Sequence, residues 1–223
     1  MYKYDTHVHT DETSSCAKVQ ARDAVRMYKE AGYKGIVITD HYAKRFFEKS
    51  PGCSWSEKID DFLKGYRIAL DEGEKIGLTV MLGIEIRFTE NPNDYLVFGL
   101  DEKFLKENKE LYYLGLAKFR KFIEGQGVLI YQAHPFRNKM ERADPKLLDG
   151  VEVFNGHPRH ESNNHLALEF AKSNNLKMLS GSDFHQVDDV ARGGIFSENE
   201  IKSIKDLVNL LSESGAVRLI INQ

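Results

Sequence analysis

At 223 residues and 41% hydrophobic, the chain can bury a substantial core, and its length suits one α/β domain over residues 1–223 better than two. A formal net charge of −3, from 31 basic and 34 acidic residues without a long run of one sign, offers nothing broad for a polyanionic duplex, so a nucleic-acid partner is unsupported. Two cysteines, no charged-then-apolar leader and no apolar run near the roughly 20 residues that cross a bilayer point to a soluble, cytoplasmic protein with no membrane partner.

Runs rich in β-branched residues read as strands in chain order. They are Tyr4 to His9, Gly35 to His41, Thr79 to Ile86, Tyr95 to Leu100, Val128 to His134, Val151 to Asn155 and Lys177 to Asp183. Ile36-Val37-Ile38 and Val128-Leu129-Ile130-Tyr131 are almost continuously apolar, as parallel strands covered on both faces are. Helices intervene. Ala21, Ala24, Val25, Tyr28 and Ala31 share one helical face, with Gly32 placed to stop it. Ile59, Phe62, Leu63, Tyr66, Ala69 and Leu70 repeat the pattern, and Ser54 with Glu57 forms a capping-box signature before them. Ile201, Ile204, Leu207, Val208 and Leu211 mark a helix before a last strand at Val217 to Ile221. This alternation predicts an α/β architecture, open or closed, and no Gly-rich nucleotide cradle accompanies it.

Histidines and acids gather at the predicted strand ends. His7 and His9 lie two apart on the first strand and so project from one face. Asp40 and His41 end the second strand, Glu85 lies near the end of the third, and His134 and Asn155 end later ones. Asp183 and His185 follow the seventh. Taken singly, each has a bland explanation: a surface pair, a turn cap, a paired acid. As a set they would converge on the C-terminal edge of a parallel sheet, where five imidazoles and several carboxylates need cations to balance them. Imidazole with carboxylate suits Zn, Mn or Fe.

His157, His160 and His165 read as mostly surface, with His157 nearest the presumed rim. Cys16 reads as a small buried hydrophobe rather than a soft ligand. Arg137 and Arg192, just after His134 and His185, offer forks matched to phosphate oxygens. Gly193-Gly194 would let the backbone beside Arg192 turn toward a ligand, which favours Arg192. The segment Tyr42 to Trp55, with Lys44, Arg45, Phe46, Phe47 and Trp55, is expected to border the site and select substrate.

The series Thr6-His7-Val8-His9-Thr10, Ile38-Thr39-Asp40-His41, Gly83-Ile84-Glu85, Ala133-His134-Pro135 and Gly181-Ser182-Asp183-Phe184-His185 resembles the PHP superfamily, named for polymerases and histidinol phosphatase. The resemblance implies a distorted seven-stranded β/α barrel, TIM-barrel-like, around two or three divalent transition metals (Mn, Zn or Fe) that hydrolyse phosphoesters. It implies a first metal on His7, His9, Glu85 and Asp183, a second on Glu85 and His134, and a third on His41 and His185. Members often supply that third position with a His or Asp five or six residues after the second histidine. Ser14 and Ser15 stand there in this chain, so Glu12 or Asp11 is expected to reach in instead. Asp40 would orient a ligand from behind.

Two cations about 3.5–4 Å apart can lower the pKa of a water between them, and the expectation is that the resulting hydroxide would attack phosphorus, with no side-chain nucleophile. The expected partner is a small phosphorylated substrate. Two alternatives remain at this point. One is a non-catalytic or polymerase-associated PHP module, which the intact His, Glu and Asp positions oppose. The other is metal-dependent C–N hydrolysis, as in barrel amidohydrolases, which would call for a carboxylated lysine where Glu85 stands.

Overall fold

The computed structural model describes residues 1–213 and 217–222. Strand β1 (Tyr2–Val8) leads into helix α1 (Ala21–Glu30), which buries Ala21, Ala24, Val25 and Tyr28. Each such larger apolar side chain stabilises the fold by about 1.5–3 kcal/mol. Gly32, at φ +73°, takes the left-handed turn after the helix.

The run expected as one strand over 35–41 is split into β2 (Gly35–Ile38) and β3 (His41–Ala43). Between them the Thr39 hydroxyl accepts from Val8 N (3.1 Å), and Asp40 turns its carboxylate onto Thr10. A short helix α2 (Lys44–Phe47) then precedes α3 (Trp55–Phe62), whose Ser54–Glu57 capping box is formed as expected.

The second predicted helix is also split, with α3 ending before Leu63 and α4 (Lys64–Ile76) beginning after it. The cause is Thr13, whose hydroxyl donates to Phe62 O (3.0 Å) and accepts from Gly65 N (3.3 Å). Glycine is required at 65, because a Cβ there would lie 1.9 Å from Thr10 Oγ1. The break thus seats the loop that follows β1 against the helical layer.

Next come β4 (Thr79–Arg87), β5 (Asp94–Phe98), α5 (Glu102–Glu107), α6 (Leu116–Phe122), β6 (Leu129–Gln132) and β7 (Gly150–Asn155). The chain finishes with α7 (Asn164–Ser173), β8 (Lys177–Gly181), β9 (Gly193–Ser197), α8 (Ile204–Ser212) and β10 (Arg218–Ile221). The sheet runs β10-β9-β1-β2-β4-β5-β6-β7-β8, with β3 paired to β4. It is nearly closed, since a parallel bridge joins Val8 to Phe184, with His9 N donating to Phe184 O (3.0 Å) and Phe184 N to His7 O (3.2 Å).

The architecture is therefore mixed α/β and barrel-like, but two expectations are corrected. Among the described residues the sheet has ten strands rather than seven: the run over 35–41 divides, β9 was not foreseen, and the last strand expected near the C-terminus joins the sheet as β10. It is also not wholly parallel, since β5 runs antiparallel to both neighbours and β9 is antiparallel to β1. Gly193 and Gly194, expected as a ligand-facing turn, serve this packing instead. A Cβ on Gly193 would meet the Gly181 backbone at 2.3 Å, and one on Gly194 would meet Tyr4 O at 2.3 Å.

Candidate metal centre

His7 and His9 sit at the end of β1, both fully buried. Their Nε2 atoms lie only 3.0 Å apart. Glu85, inward on β4 beside His41 of β3, places Oε1 at 3.5 Å from His7 Nε2 and Oε2 at 3.4 Å from His9 Nε2. Asp183, in the left-handed region at φ 52° just past β8, brings Oδ1 to 3.4 Å from His7 Nε2 and 3.3 Å from His9 Nε2. His134, at φ 29° just past β6, aims Nε2 at Glu85 Oε1 (3.1 Å). His41 Nδ1 is 2.6 Å from Glu85 Oε2, and His185 Nδ1 is 3.3 Å from Asp183 Oδ1.

The arrangement asks for positive charge at its middle. His7 donates through Nδ1 to Glu152 Oε1 (2.8 Å), which leaves the Nε2 of a neutral ring as a lone pair facing His9 and two carboxylates. Glu85 Oε2 and His134 Nδ1 are buried without a hydrogen-bond partner. Such orphaned groups cost free energy unless something compensates them. Ligand atoms of His7, His9 and Glu85 lie within 4.8 Å of one another, as do those of His9, His41 and His185. These donor sets fit divalent transition metals.

Without an ion, the groups compensate one another electrostatically. Burial drives the His7 pKa down, but Asp183, Glu152 and Glu85 outweigh it and hold the ring well above the ordinary imidazole value. Burial, then the nearby His185 and His41, push His9 well below that value. Burial opposes ionisation of Asp183, yet His7, Arg137 and His185 hold its carboxyl well down.

The surrounding residues fix these geometries. Glu152 Oε2 accepts from His134 N and from Asn155 Nδ2, both at 2.9 Å. Asp40 accepts from Thr10 N (2.8 Å), the Thr10 hydroxyl (2.7 Å) and Ser14 Oγ (2.7 Å), and Ser14 Oγ lies 3.3 Å from His9 Nδ1. Asp40 therefore reaches His9 chiefly through Ser14, its own oxygen standing 4.0 Å from the ring.

A cavity of about 520 Å³ opens over the cluster, lined in part by His41, His134, Asp183 and His185 and by Arg45, Arg87, Arg137 and Arg159. Arg137 Nη2 donates to Asp183 Oδ2 (2.8 Å), Asn155 Oδ1 (2.8 Å) and Ser162 Oγ (3.2 Å), while its buried Nε has no partner. Arg192 is not in the cavity wall, and its Nε donates to Asp188 O (2.8 Å).

Glu12 belongs to none of the ligand clusters found among the described residues. Its Oε2 accepts from Ala21 N (2.9 Å) at the start of α1, where a carboxylate satisfies an otherwise free helix donor. Of the segment 42–55 only Arg45 lines the cavity. Phe47 and Trp55 are core residues instead.

Four contributors escaped the sequence reading. Glu152 is a lone acid within an apolar strand, a signal in itself. Arg87 lies two residues after Glu85 and so shares its face on β4. Arg159 is two residues from His157, which is buried with Nε2 3.1 Å from the Arg159 guanidinium. Cys16 is exposed rather than buried in the core, and it lines the cavity with His41 and His185.

A family model, the PHP domain, matches residues 5–214. No curated protein matches the chain. The fold resembles a two-domain protein of Bacteroides vulgatus that contains a part described as a PHP-like metal-dependent phosphoesterase, at TM-score 0.68 and 19% identity. That match covers 99% of this chain and 65% of the other, so the chain spans about two thirds of that protein. A Bifidobacterium adolescentis protein assigned as a metal-dependent phosphoesterase matches at TM-score 0.56 and 17% identity, over 93% of this chain and 95% of that one. An amidohydrolase of Chromobacterium violaceum, solved with sulfate and no metal, matches at TM-score 0.59 and 15% identity, over 93% and 96%. At these identities the likeness is one of fold.

Proposed function

From the premise that the chain belongs to the PHP domain family, matched over residues 5–214, we propose that it hydrolyses phosphate esters of small molecules with the help of bound divalent metals. The observation that carries this reading is the pairing of a buried His–carboxylate cluster, whose Glu85 Oε2 has no hydrogen-bond partner, with an arginine-bearing cavity over it.

His7, His9, Glu85 and Asp183 would hold one metal, Glu85 and His134 a second, and His41 with His185 a third. Bound there, the cations would lower the pKa of a water and offset the charge that builds on oxygen during displacement at phosphorus. The protein's own part is positioning. Glu152 fixes the His7 tautomer and the His134 backbone together, and Asn155 is held between Glu152 and Asp183. Arg137 lines the cavity, joins His7 in keeping Asp183 ionised, and would offer its guanidinium to a phosphoryl oxygen. No side chain is assigned as nucleophile.

The test is a panel of phosphomonoesters and phosphodiesters given to metal-analysed protein, alongside amide and cyclic-amide substrates. Phosphate release supports the proposal, whereas ammonia or amine release with inert phosphoesters would move the protein to C–N hydrolysis, the activity suggested by the amidohydrolase neighbour. Glu85, rather than a lysine, at the shared position favours the phosphoester reading.

A further inference from the structure

Arg87 and Asp94 stand directly opposite each other on the antiparallel strands β4 and β5. Arg87 lies two residues beyond Glu85 and leaves β4 on the same face, while Ile86 between them packs into the apolar core. Its Nε donates to Asp94 Oδ1 (2.7 Å) and its Nη2 to Asp94 Oδ2. This paired contact uses one edge of the guanidinium and fixes its plane. Nη1 has no partner among the described residues.

Both residues line the cavity over the centre. A carboxylate oxygen of Asp94 lies within 4.8 Å of ligand atoms of His41 and Glu85, so the guanidinium it holds stands one hydrogen bond beyond them. The acid is buried and the arginine side chain is 37% exposed: Asp94 is the fixed base from which Arg87 reaches into the cavity. Its charge also offsets a cation that would otherwise repel metals bound beside it. Arg159 differs, since both of its terminal nitrogens are taken by Asp189. Arg137 is held by Asn155 and Asp183 at the ends of β7 and β8, and β6 separates those strands from β4 and β5. Arg87 and Arg137 therefore approach the cavity from different parts of the sheet.

We infer that Arg87, aimed by Asp94, binds the phosphoryl group of the substrate and makes the site selective for phosphomonoesters over phosphodiesters. The inference rests on the reading of this protein as a metal-dependent phosphoesterase. A monoester phosphoryl group has three non-bridging oxygens and a diester has two. With the metal centre and Arg137 each engaging one such oxygen, a charged acceptor remains for Arg87 only in the monoester.

The test uses metal-loaded protein with p-nitrophenyl phosphate and bis(p-nitrophenyl) phosphate as probes. Arg87→Lys keeps a charge for Asp94, and so the fold, but leaves no second donor for the phosphoryl group. It should lower kcat/KM for the monoester roughly 10- to 100-fold and lower the monoester-to-diester ratio with it, at unchanged metal content. Inorganic phosphate titrated calorimetrically into the zinc-loaded protein gives the same reading without turnover, its Kd rising roughly tenfold or more in the variant. Asp94→Asn should lower the same ratio while metal content stays full. An unchanged ratio and an unchanged phosphate Kd in Arg87→Lys would overturn the inference and leave the phosphoesterase reading standing, as would a loss of metal in Asp94→Asn, which would make Asp94 a ligand instead. A wild type that hydrolyses neither ester and binds no phosphate would overturn both.

Discussion

Glu152 joins two histidines that lie far apart in sequence: Oε1 accepts from the His7 ring at 2.8 Å and Oε2 from the His134 backbone at 2.9 Å. One carboxylate thus sets a ring orientation at the end of β1 and a backbone position at the end of β6. Replacing it by Gln in Glu152→Gln keeps the shape but gives up one acceptor, so one of the two contacts is lost. Metal affinity should fall roughly 10–100-fold, the usual cost of disturbing a group behind a ligand. Competition against a chromophoric chelator reads this directly, and an unchanged affinity would show that the two ligands hold their places without Glu152.

Removing metal should cost stability as well as activity. A ligand bound only by the native state stabilises it by RT ln(1 + [L]/Kd), about 2.7 kcal/mol at a hundredfold excess over Kd. Chelator-stripped protein should accordingly melt at a lower temperature, and addition of Mn, Zn or Fe should restore both Tm and hydrolysis. An identical Tm with and without metal at saturating concentration would contradict binding to the native state.

The pH dependence follows from His7. Its folded-state pKa is raised, by Asp183, Glu152 and Glu85 against the pull of burial. In metal-free protein its contribution to stability is therefore fully present below the ordinary imidazole value of about 6.5 and lost as pH rises through the higher folded value. A metal needs the ring unprotonated. Metal affinity should therefore increase as pH is raised from below about 6.5 to above the folded pKa, with proton release detected by calorimetry in buffers of different ionisation enthalpy. Affinity that is flat over that range would contradict the assignment of His7 as a ligand.

Much of the cluster was legible because strand periodicity and strand ends are local properties. His7 and His9 share a face by the two-residue repeat, and Asp183 and His185 stand just beyond β8. What escaped depends on contacts between distant segments. Glu12 and Cys16 are four residues apart on one loop, and only the anchoring of that loop to His41 and His185 decides which of them faces the cavity. The same holds for β5, since an apolar run such as Tyr95-Leu96-Val97-Phe98 carries no mark of its direction. Gly193 likewise reads as a turn until the Gly181 backbone is seen against it.

Glu85 is the shared element of the cluster, within 3.5 Å of His7, His9, His41 and His134. Glu85→Ala should abolish nearly all hydrolysis and lower metal content, because its carboxylate would be shared between the proposed ions and would hold them at their working separation. Elemental analysis and turnover on the same preparation check this together. Wild-type turnover in the variant would mean that the reaction occurs elsewhere.

The two arginines separate phosphate binding from metal binding. Arg137 stands in the cavity wall with a buried, unpartnered Nε, whereas Arg192 lies outside it and donates to Asp188 O. The structure thereby reverses the preference for Arg192, which rested on two glycines that prove to pack β9 against its neighbours. Arg137→Lys keeps the charge but loses the guanidinium donors beyond the Nη2 that holds Asp183 and Asn155, the donors a phosphoryl oxygen would use. Losing one charge-assisted hydrogen bond, worth about 1.5–3 kcal/mol, should lower kcat/KM roughly 10- to 100-fold. Arg192→Lys should leave kcat/KM unchanged. Because Arg137 also touches Asp183, metal content must be measured in the same variant: a fall in kcat/KM with full metal content identifies phosphate binding, while a parallel fall in both shows that Arg137 acts by holding Asp183. Loss of kcat/KM in the Arg192 variant alone would overturn the assignment and require the segment 188–192 to move on substrate binding.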